Sequence, residues 1–221
     1  MRFYQEITII KTPEISPSII WSKLYMQLHL ALVERQNTDK TVNIGVSFPE
    51  YKYSEKEDLG SMSLGTKLRI FAHSEVELQQ LDLTKWLERL TDYVHIKSIR
   101  AVPESVNSYL LVKRYRVDTN LERITRRFMQ RESKRLGKEL SFNEAKALQN
   151  QRFAKNNEIT LKQAEQHYKQ PKVKNLPFIR LKSLSSSEEY SLLIEQTRAE
   201  QHCTGSFNTY GLSSKSTVPH W

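Results

Sequence analysis

Cysteine and glycine are scarce in this chain of 221 residues, which has one cysteine and six glycines. Because Cys203 has no second cysteine to pair with, no disulfide can form within the chain, and no Cys/His cluster has zinc-site spacing. The sequence also lacks a Walker A loop, a dinucleotide-binding glycine fingerprint, HExxH and GxSxG. We therefore expect a reducing cytoplasmic compartment and no metal or other cofactor.

Long apolar runs are missing as well. No stretch approaches the roughly 18 apolar residues of a membrane-spanning helix, and the segment Met1–Glu6 has no signal-peptide character. We expect a protein that is neither secreted nor membrane-bound. Hydrophobic residues make up 38% of the chain and aromatic residues 10%, which is enough to build a core, so we expect it to fold.

The positive charge is concentrated in one part of the chain. In total, 34 Lys and Arg stand against 25 Asp and Glu, a net charge of +9. Residues 113–174 hold 17 Lys and Arg against 7 Asp and Glu, residues 1–112 hold 13 against 14, and residues 175–221 hold 4 against 4. A localised excess of this kind is typical of a polyanion-binding surface. The alternative is a charged helical face that simply contacts solvent.

The pattern of apolar residues predicts an α+β fold. Strands are predicted at residues 3–10, 41–48, 67–72 and 96–102, with helices at about 16–34 and from about 74. The order β-α-β-β-α-β is that of a ferredoxin-like domain, which we assign to residues 1–105. Residues 106–221 form the second predicted domain, an α+β region with a helix at about 120–136 and C-terminal segments. Its other predicted elements are a strand at 108–117, one or two helices within 139–169, and short strands at 178–181 and 190–194.

The helix predicted at 120–136 has separate basic and apolar faces. At 100° per residue, five cationic side chains share one face: Arg123, Arg126, Arg127, Arg131 and Lys134. Such a helix can bury its apolar face and direct guanidinium groups into a nucleic-acid groove.

His29 is the histidine best placed for chemistry. Cleavage of RNA without a metal requires a group that removes a proton from a 2′-hydroxyl, and the ordinary pKa of histidine, about 6.5, suits that role. On the predicted helix, His29 lies about 100° from the centre of the stripe of Ile20, Leu24 and Leu28, at the edge of the core. A structural or merely exposed histidine is the alternative.

Six segments occur in the same order as in a known family. They are "LHLALV" around His29, "NIGVSFP" from Asn43, "LGTKLRI" from Leu64, "LERITRRFMQR" from Leu121, "LPFIRLKS" from Leu176 and "TYGLS" from Thr209, and the chain ends in "VPHW". In these segments the chain resembles the repeat-processing endoribonucleases of type I-F CRISPR systems, which belong to the RAMP-like superfamily. The resemblance covers nearly the whole chain.

The resemblance implies a role for each of several residues. His29 would be the general base, Ser183 would orient the attacking 2′-hydroxyl, and Tyr210 would help to position the histidine. Arg126, Arg127 and Arg131 would enter the major groove of an RNA hairpin. The remaining candidate RNA contacts are Arg114, Arg116, Arg123, Lys134, Ser185 and Tyr190.

Two of these contacts have a specific expected role, and some positions depart from the family pattern. Arg114 would read a guanine near the cut, and Tyr190 would stack on the terminal base pair, with a strand-core residue as its alternative. Arg116 stands where a base-reading polar side chain is expected. Gln130 and Glu132 stand where a more basic helix is expected.

The leading hypothesis is a metal-independent endoribonuclease. It would cut CRISPR repeat RNA at the 3′ base of a stem-loop to give mature guide RNA, and stay bound to the hairpin with the other subunits of a type I-F surveillance complex. One alternative is a non-catalytic hairpin-binding subunit of such a complex. Another is a general RNA-binding protein, which would tolerate any duplex.

Overall fold

The protein has a mixed α+β fold, as the sequence predicts. The computed structural model describes residues 1–54, 62–116, 121–169, 174–184 and 187–221. They form two compact units, one made of Met1–Tyr115 with Asn175–Trp221 and the other of Arg116–Lys174. The C-terminal segments therefore belong to the same unit as the N-terminal region, whereas the domains 1–105 and 106–221 remain a prediction.

The first sheet is antiparallel and comes from the N-terminal half of the chain. The strands are β1 (Phe3–Ile9), β2 (Gly45–Ser47), β3 (Lys67–Ala72), β4 (Val94–Ile96) and β5 (Arg100–Ala101). Their order is β2-β3-β1-β4, and β5 pairs with the N-terminal end of β1. Three helices accompany them: α1 (Pro17–Glu34), α2 (Glu75–Leu81) and α3 (Leu83–Trp86), with a 3-10 turn at Glu88–Leu90.

Two predicted elements of the N-terminal half are each divided in the structure. The strand predicted at 96–102 is divided into β4 and β5. The helix predicted from residue 74 breaks at Asp82, which has a φ of 46° and accepts a hydrogen bond from the Lys85 amide through its side chain. Because Asp tolerates the left-handed region and caps helices well, it ends α2 and starts α3.

The second sheet is also antiparallel and lies in the first compact unit. The strands are β6 (Ser108–Tyr115), β7 (Phe178–Lys182), β8 (Glu189–Ala199) and β9 (Thr217–His220). Their order is β7-β8-β6-β9. β8 extends well beyond the predicted run at 190–194.

Helix α1 is anchored in the core of this unit. Its stripe of Ile20, Leu24, Leu28 and Ala31 is buried, and Tyr25 beside it is fully buried. The same core cluster contains residues of both sheets, and α1 packs against β7. The position of His29, one residue after Leu28, is therefore fixed by the core.

The second compact unit contains three helices. They are α4 (Leu121–Leu136), α5 (Phe142–Asn156) and α6 (Leu161–Lys169). Helix α5 packs against both α4 and α6. Ser141 and Glu144 form a capping box that starts α5. Within the described ranges, no helix combines the length and apolar character needed to cross a membrane.

Candidate active site and RNA-binding residues

The ring of His29 is held by a backbone carbonyl from the C-terminal part of the chain. Its Nδ1 lies 2.8 Å from the carbonyl oxygen of Thr209. A carbonyl oxygen can only accept, so Nδ1 carries the proton in this hydrogen bond. In the neutral ring, the lone pair is then on Nε2, which is the form that a general base requires.

Tyr210 fixes the plane of the same ring. The two rings are stacked, with centroids 4.1 Å apart and planes 9° apart. The Tyr210 hydroxyl lies 2.7 Å from the hydroxyl of Tyr190, and the Tyr210 carbonyl accepts a hydrogen bond of 2.9 Å from the hydroxyl of Tyr25. Both ends of Tyr210 are therefore held, and the ring can act as a rigid support for His29.

A tight turn places the Thr209 carbonyl and the Tyr210 ring. The Asn208 side chain accepts a hydrogen bond of 2.8 Å from the Tyr210 amide. Gly211 has a φ of 71°, and its carbonyl accepts a hydrogen bond of 3.0 Å from the Val46 amide in β2. A Cβ on Gly211 would lie 2.6 Å from a methyl group of Val46. Only glycine combines this φ with this close approach.

Sequence reasoning did not assign a function to Asn208, Thr209 or Gly211. Asn followed three residues later by Gly is a turn signal that could have located this segment. No local pattern could have paired it with His29, because the bonded residues are 180 positions apart.

Tyr190 and Arg114 extend the cluster across the second sheet. The Arg114 guanidinium carbon in β6 lies 5.7 Å from the ring centroid of Tyr190 in β8, which is within cation–π range. Burial, together with the hydrogen bond to Tyr210, raises the pKa of Tyr190 above its usual range. Tyr190 is therefore a neutral phenol in any ordinary assay buffer.

Ser183 lies at the end of β7 on the same face of the sheet as Tyr190. In the β7–β8 register, Leu181 is opposite Tyr190, and the Ser183 amide continues the ladder with a 2.8 Å hydrogen bond to the Glu188 carbonyl. Side chains two residues apart on a strand share a face. The register therefore brings Ser183 to the end of the strand pair that also carries Tyr190.

The basic residues of α4 are exposed. These residues are Arg123, Arg126, Arg127, Arg131 and Lys134. Arg126 makes a loose surface ion pair with Glu122, at 3.8 Å. Arg116 is also exposed and belongs to the same compact unit, whereas Ser185 lies outside the described residues.

Glu132 does not belong to the exposed face of α4. It is buried, and accepts hydrogen bonds of 2.6 and 3.0 Å from Arg135 and an ion pair from Arg152 of α5. Hydrogen bonding to Arg135, with a further contribution from Arg152, lowers the pKa of Glu132 despite the opposing effect of burial. The acidic residue that breaks the basic pattern of the sequence thus joins α4 to α5.

In the described part of the chain, no group of three or more His, Cys, Asp and Glu side chains is arranged to hold a metal ion.

Comparison with known proteins gives matches over the whole chain. Residues 4–221 match the family described as CRISPR-associated protein (Cas_Csy4). A CRISPR-associated endonuclease Cas6/Csy4 of Escherichia coli (strain UTI89 / UPEC) is 30% identical over 220 residues. A protein of the same description from Pseudomonas aeruginosa (strain UCBPP-PA14) is 33% identical over 223 residues, and both alignments cover 99% of each chain.

One solved structure, described as an RAMP protein binding different RNA substrates, is 15% identical and covers 99% of both chains with a TM-score of 0.36. A TM-score this low does not establish a shared topology.

Proposed function

Since the chain belongs to the Csy4 family of CRISPR-associated proteins, we propose that it is an endoribonuclease that processes CRISPR repeat RNA. The observation that carries this proposal is the arrangement at His29. Its Nδ1 donates to the Thr209 carbonyl, its ring stacks on Tyr210, and its Nε2 keeps a lone pair. This is a histidine oriented as a base.

The reaction uses the 2′-hydroxyl of the RNA as nucleophile and needs no metal. His29 Nε2 takes the proton of the 2′-hydroxyl while the 2′ oxygen bonds to the adjacent phosphorus. The bond from phosphorus to the 5′ oxygen breaks, and that oxygen takes a proton from water. The products are a 2′,3′-cyclic phosphate and a 5′-hydroxyl, and His29 returns its proton to solvent.

Ser183 and Tyr210 act by position in this mechanism. Ser183 holds the 2′-hydroxyl in line with the phosphorus, where small displacements are costly to the rate. Tyr210 keeps the imidazole plane fixed. The hydrogen bond of 2.8 Å from the Ser183 amide to the Glu188 carbonyl, which holds Ser183 next to the start of β8, supports this assignment.

The RNA is a hairpin cut at the 3′ base of its stem. Arg126, Arg127 and Arg131 enter the major groove of the stem, with Arg123 and Lys134 on the same exposed face. Arg114 reads the guanine beside the cut and Tyr190 stacks on the terminal base pair. The remaining proposed contacts are Arg116 and Ser185. The cation–π contact between Arg114 and Tyr190 supports a joint role at the base of the stem.

The fold assignment and the assembly complete the proposal. We assign residues 1–105 to a ferredoxin-like domain, which the antiparallel strand order β2-β3-β1-β4 supports. After the cut the protein keeps the hairpin and serves as a subunit of a type I-F surveillance complex in the cytoplasm. Stem contacts survive cleavage, so we expect nearly single-turnover behaviour.

Three hairpins test the activity. They are the repeat hairpin, a hairpin with a scrambled stem, and the repeat hairpin with a 2′-deoxy nucleotide at the cut. We expect cleavage of the first alone and binding of the first and third with similar affinity. Binding without cleavage of the repeat hairpin would indicate a non-catalytic hairpin subunit, and equal binding of all three would indicate a general RNA-binding protein.

A further inference from the structure

An open groove of about 920 Å³ lies in the first compact unit. Its walls come from α1, from α3 with the 3-10 turn that follows it, and from the neighbouring ends of β7 and β8. Its volume is that of a cleft that holds a ligand, since such clefts measure roughly 300–1,000 Å³.

Cations and one large aromatic ring line this groove. The cations are all exposed and come from every wall: Lys23, Lys85, Arg89, Arg180 and Lys182. Among the described residues, none of these five has an ion-pair partner within 4.0 Å. They outnumber the groove's carboxylates, which are Glu34, Glu88 and Glu189.

Trp86 gives the groove its aromatic surface. The residue is half-buried, packs partly against the core and also lines the groove. A groove lined by cations and a tryptophan is suited to single-stranded nucleic acid, because bases stack on the ring while the cations contact phosphates.

The groove and the candidate catalytic residues share the end of the β7–β8 strand pair and one part of α1. Lys182 immediately precedes Ser183, and Glu189 immediately precedes Tyr190. On α1, Met26 lines the groove and lies one turn before His29, a spacing that makes the two residues neighbours on the helix surface. Adjacent strand residues point to opposite faces, so an RNA strand that leaves the cut site would pass around this end of the strand pair to reach the groove.

We propose that this groove binds the single-stranded RNA that flanks the repeat hairpin, with a base on Trp86 and phosphates on Lys23, Arg89 and Arg180. The proposal rests on the proposed hairpin cleavage and extends it. It gives the protein a contact with RNA outside the stem, on either the 5′ or the 3′ side of the hairpin. The groove fits RNA better than a protein segment, because five exposed cations and an aromatic ring line it together.

The test compares the affinity of the full chain for three RNAs that carry the 2′-deoxy nucleotide at the cut. One is the bare hairpin, and the other two carry a single-stranded extension of about eight nucleotides on the 5′ or the 3′ side, a length typical of single-strand sites. We expect one extension to strengthen binding. Trp86→Leu keeps an apolar side chain but removes the stacking surface. It should weaken binding of the extended RNA by roughly five- to 150-fold, the range typical of one stacked base.

A charge variant supplies the second, independent reading. Lys23→Gln with Arg89→Gln should reduce the slope of log K against log salt for the extended RNA by about 0.7 for each phosphate that no longer contacts a cation. The matched control is Lys11→Gln with Lys215→Gln, two exposed cations away from the groove, which should leave the gain intact. All variants should bind the bare hairpin as the wild-type chain does.

Several results would overturn the proposal. These are no gain from either extension, or a gain that the groove variants leave unchanged. Variants that bind extended RNA normally but fail to associate with the other complex subunits would make the groove a protein-binding site instead. Failure to bind or cut the bare hairpin would refute the proposed function itself, and is distinguishable because it does not involve the extension.

Discussion

At the scale of single residues, the position of His29 depends on the turn at 208–211 as much as on its own helix. Helix α1 fixes the backbone of His29, but the Thr209 carbonyl selects its tautomer and Tyr210 fixes its plane. The turn is itself fixed to β2 by the hydrogen bond from Val46 to Gly211. A substitution in the turn should therefore affect the rate without touching the RNA.

Gly211→Ala tests this dependence, with Gly137→Ala as its matched control. Both glycines have positive φ, 71° and 62°, so both substitutions incur similar backbone strain, about 1 kcal/mol. A Cβ at Gly137 meets no described atom within 4 Å, whereas one at Gly211 would meet Val46 at 2.6 Å. We expect Gly211→Ala to reduce the free energy of unfolding by about 1–3 kcal/mol more than the control does.

The single-turnover cleavage rate at saturating enzyme should separate the two variants further. Gly211→Ala should slow it, because the displaced turn carries the Thr209 carbonyl away from His29. Gly137→Ala should cleave at the wild-type rate. Equal rates for both variants would show that the turn does not control His29.

At the scale of secondary-structure elements, the sequence predicts best the strands and helices that have a regular apolar pattern. β1, β3 and α1 follow their predicted ranges closely, because each has a regular apolar pattern and a turn signal at its end. The break at Asp82 was missed, since the apolar spacing continues through it and only the left-handed conformation of one residue divides the helix. The helical spacing placed His29 at the core edge, but its partners come from distant parts of the chain.

Helix α4 shows how a departure in sequence can have a structural cause. Glu132 interrupts the basic pattern, yet it lies on the buried side, where it binds Arg135 and Arg152. Its carboxylate is buried while both guanidinium groups are partly exposed, so the loss of the carboxylate costs their charge-assisted hydrogen bonds. Glu132 thus supports α4 by holding α5 and not by contacting RNA.

Glu132→Gln should lower the thermal midpoint of unfolding, because Arg135 and Arg152 lose their shared charged acceptor. The matched control on the same helix is Glu122→Gln, whose carboxylate is exposed and lies 3.8 Å from Arg126. Exposed pairs of this kind contribute about 0–1 kcal/mol, so the control should melt close to the wild-type temperature. If the two variants melt together, Glu132 does not join the helices.

At the scale of the whole molecule, nearly all of the net positive charge belongs to one compact unit. Residues 116–174 hold 15 Lys and Arg against 7 Asp and Glu, a net charge of +8 out of the +9 of the chain. The catalytic candidates His29, Ser183 and Tyr210 all lie in the other unit. In the proposed function, catalysis would belong to one unit and the main electrostatic attraction of RNA to the other.

Replacing Arg126, Arg127 and Arg131 with glutamine should reduce the slope of log K against log salt for hairpin binding by up to about 0.9 for each phosphate that these cations neutralise. The control replaces three exposed lysines of the other unit with glutamine, Lys11, Lys52 and Lys215, and so makes the same change in net charge. Its slope should stay near the wild-type value. Equal changes in both variants would attribute binding to net charge and not to α4.

The single-turnover cleavage rate of His29→Ala in EDTA tests the central claim, that His29 is the base that activates the 2′-hydroxyl. General bases contribute typically 10²–10⁴-fold. We predict that the wild-type chain cuts the repeat hairpin in EDTA to a 2′,3′-cyclic phosphate, and that His29→Ala is slower by about that factor with unchanged hairpin affinity. A wild-type enzyme that needs added Mg²⁺, or a variant that cuts at the wild-type rate, would contradict the claim.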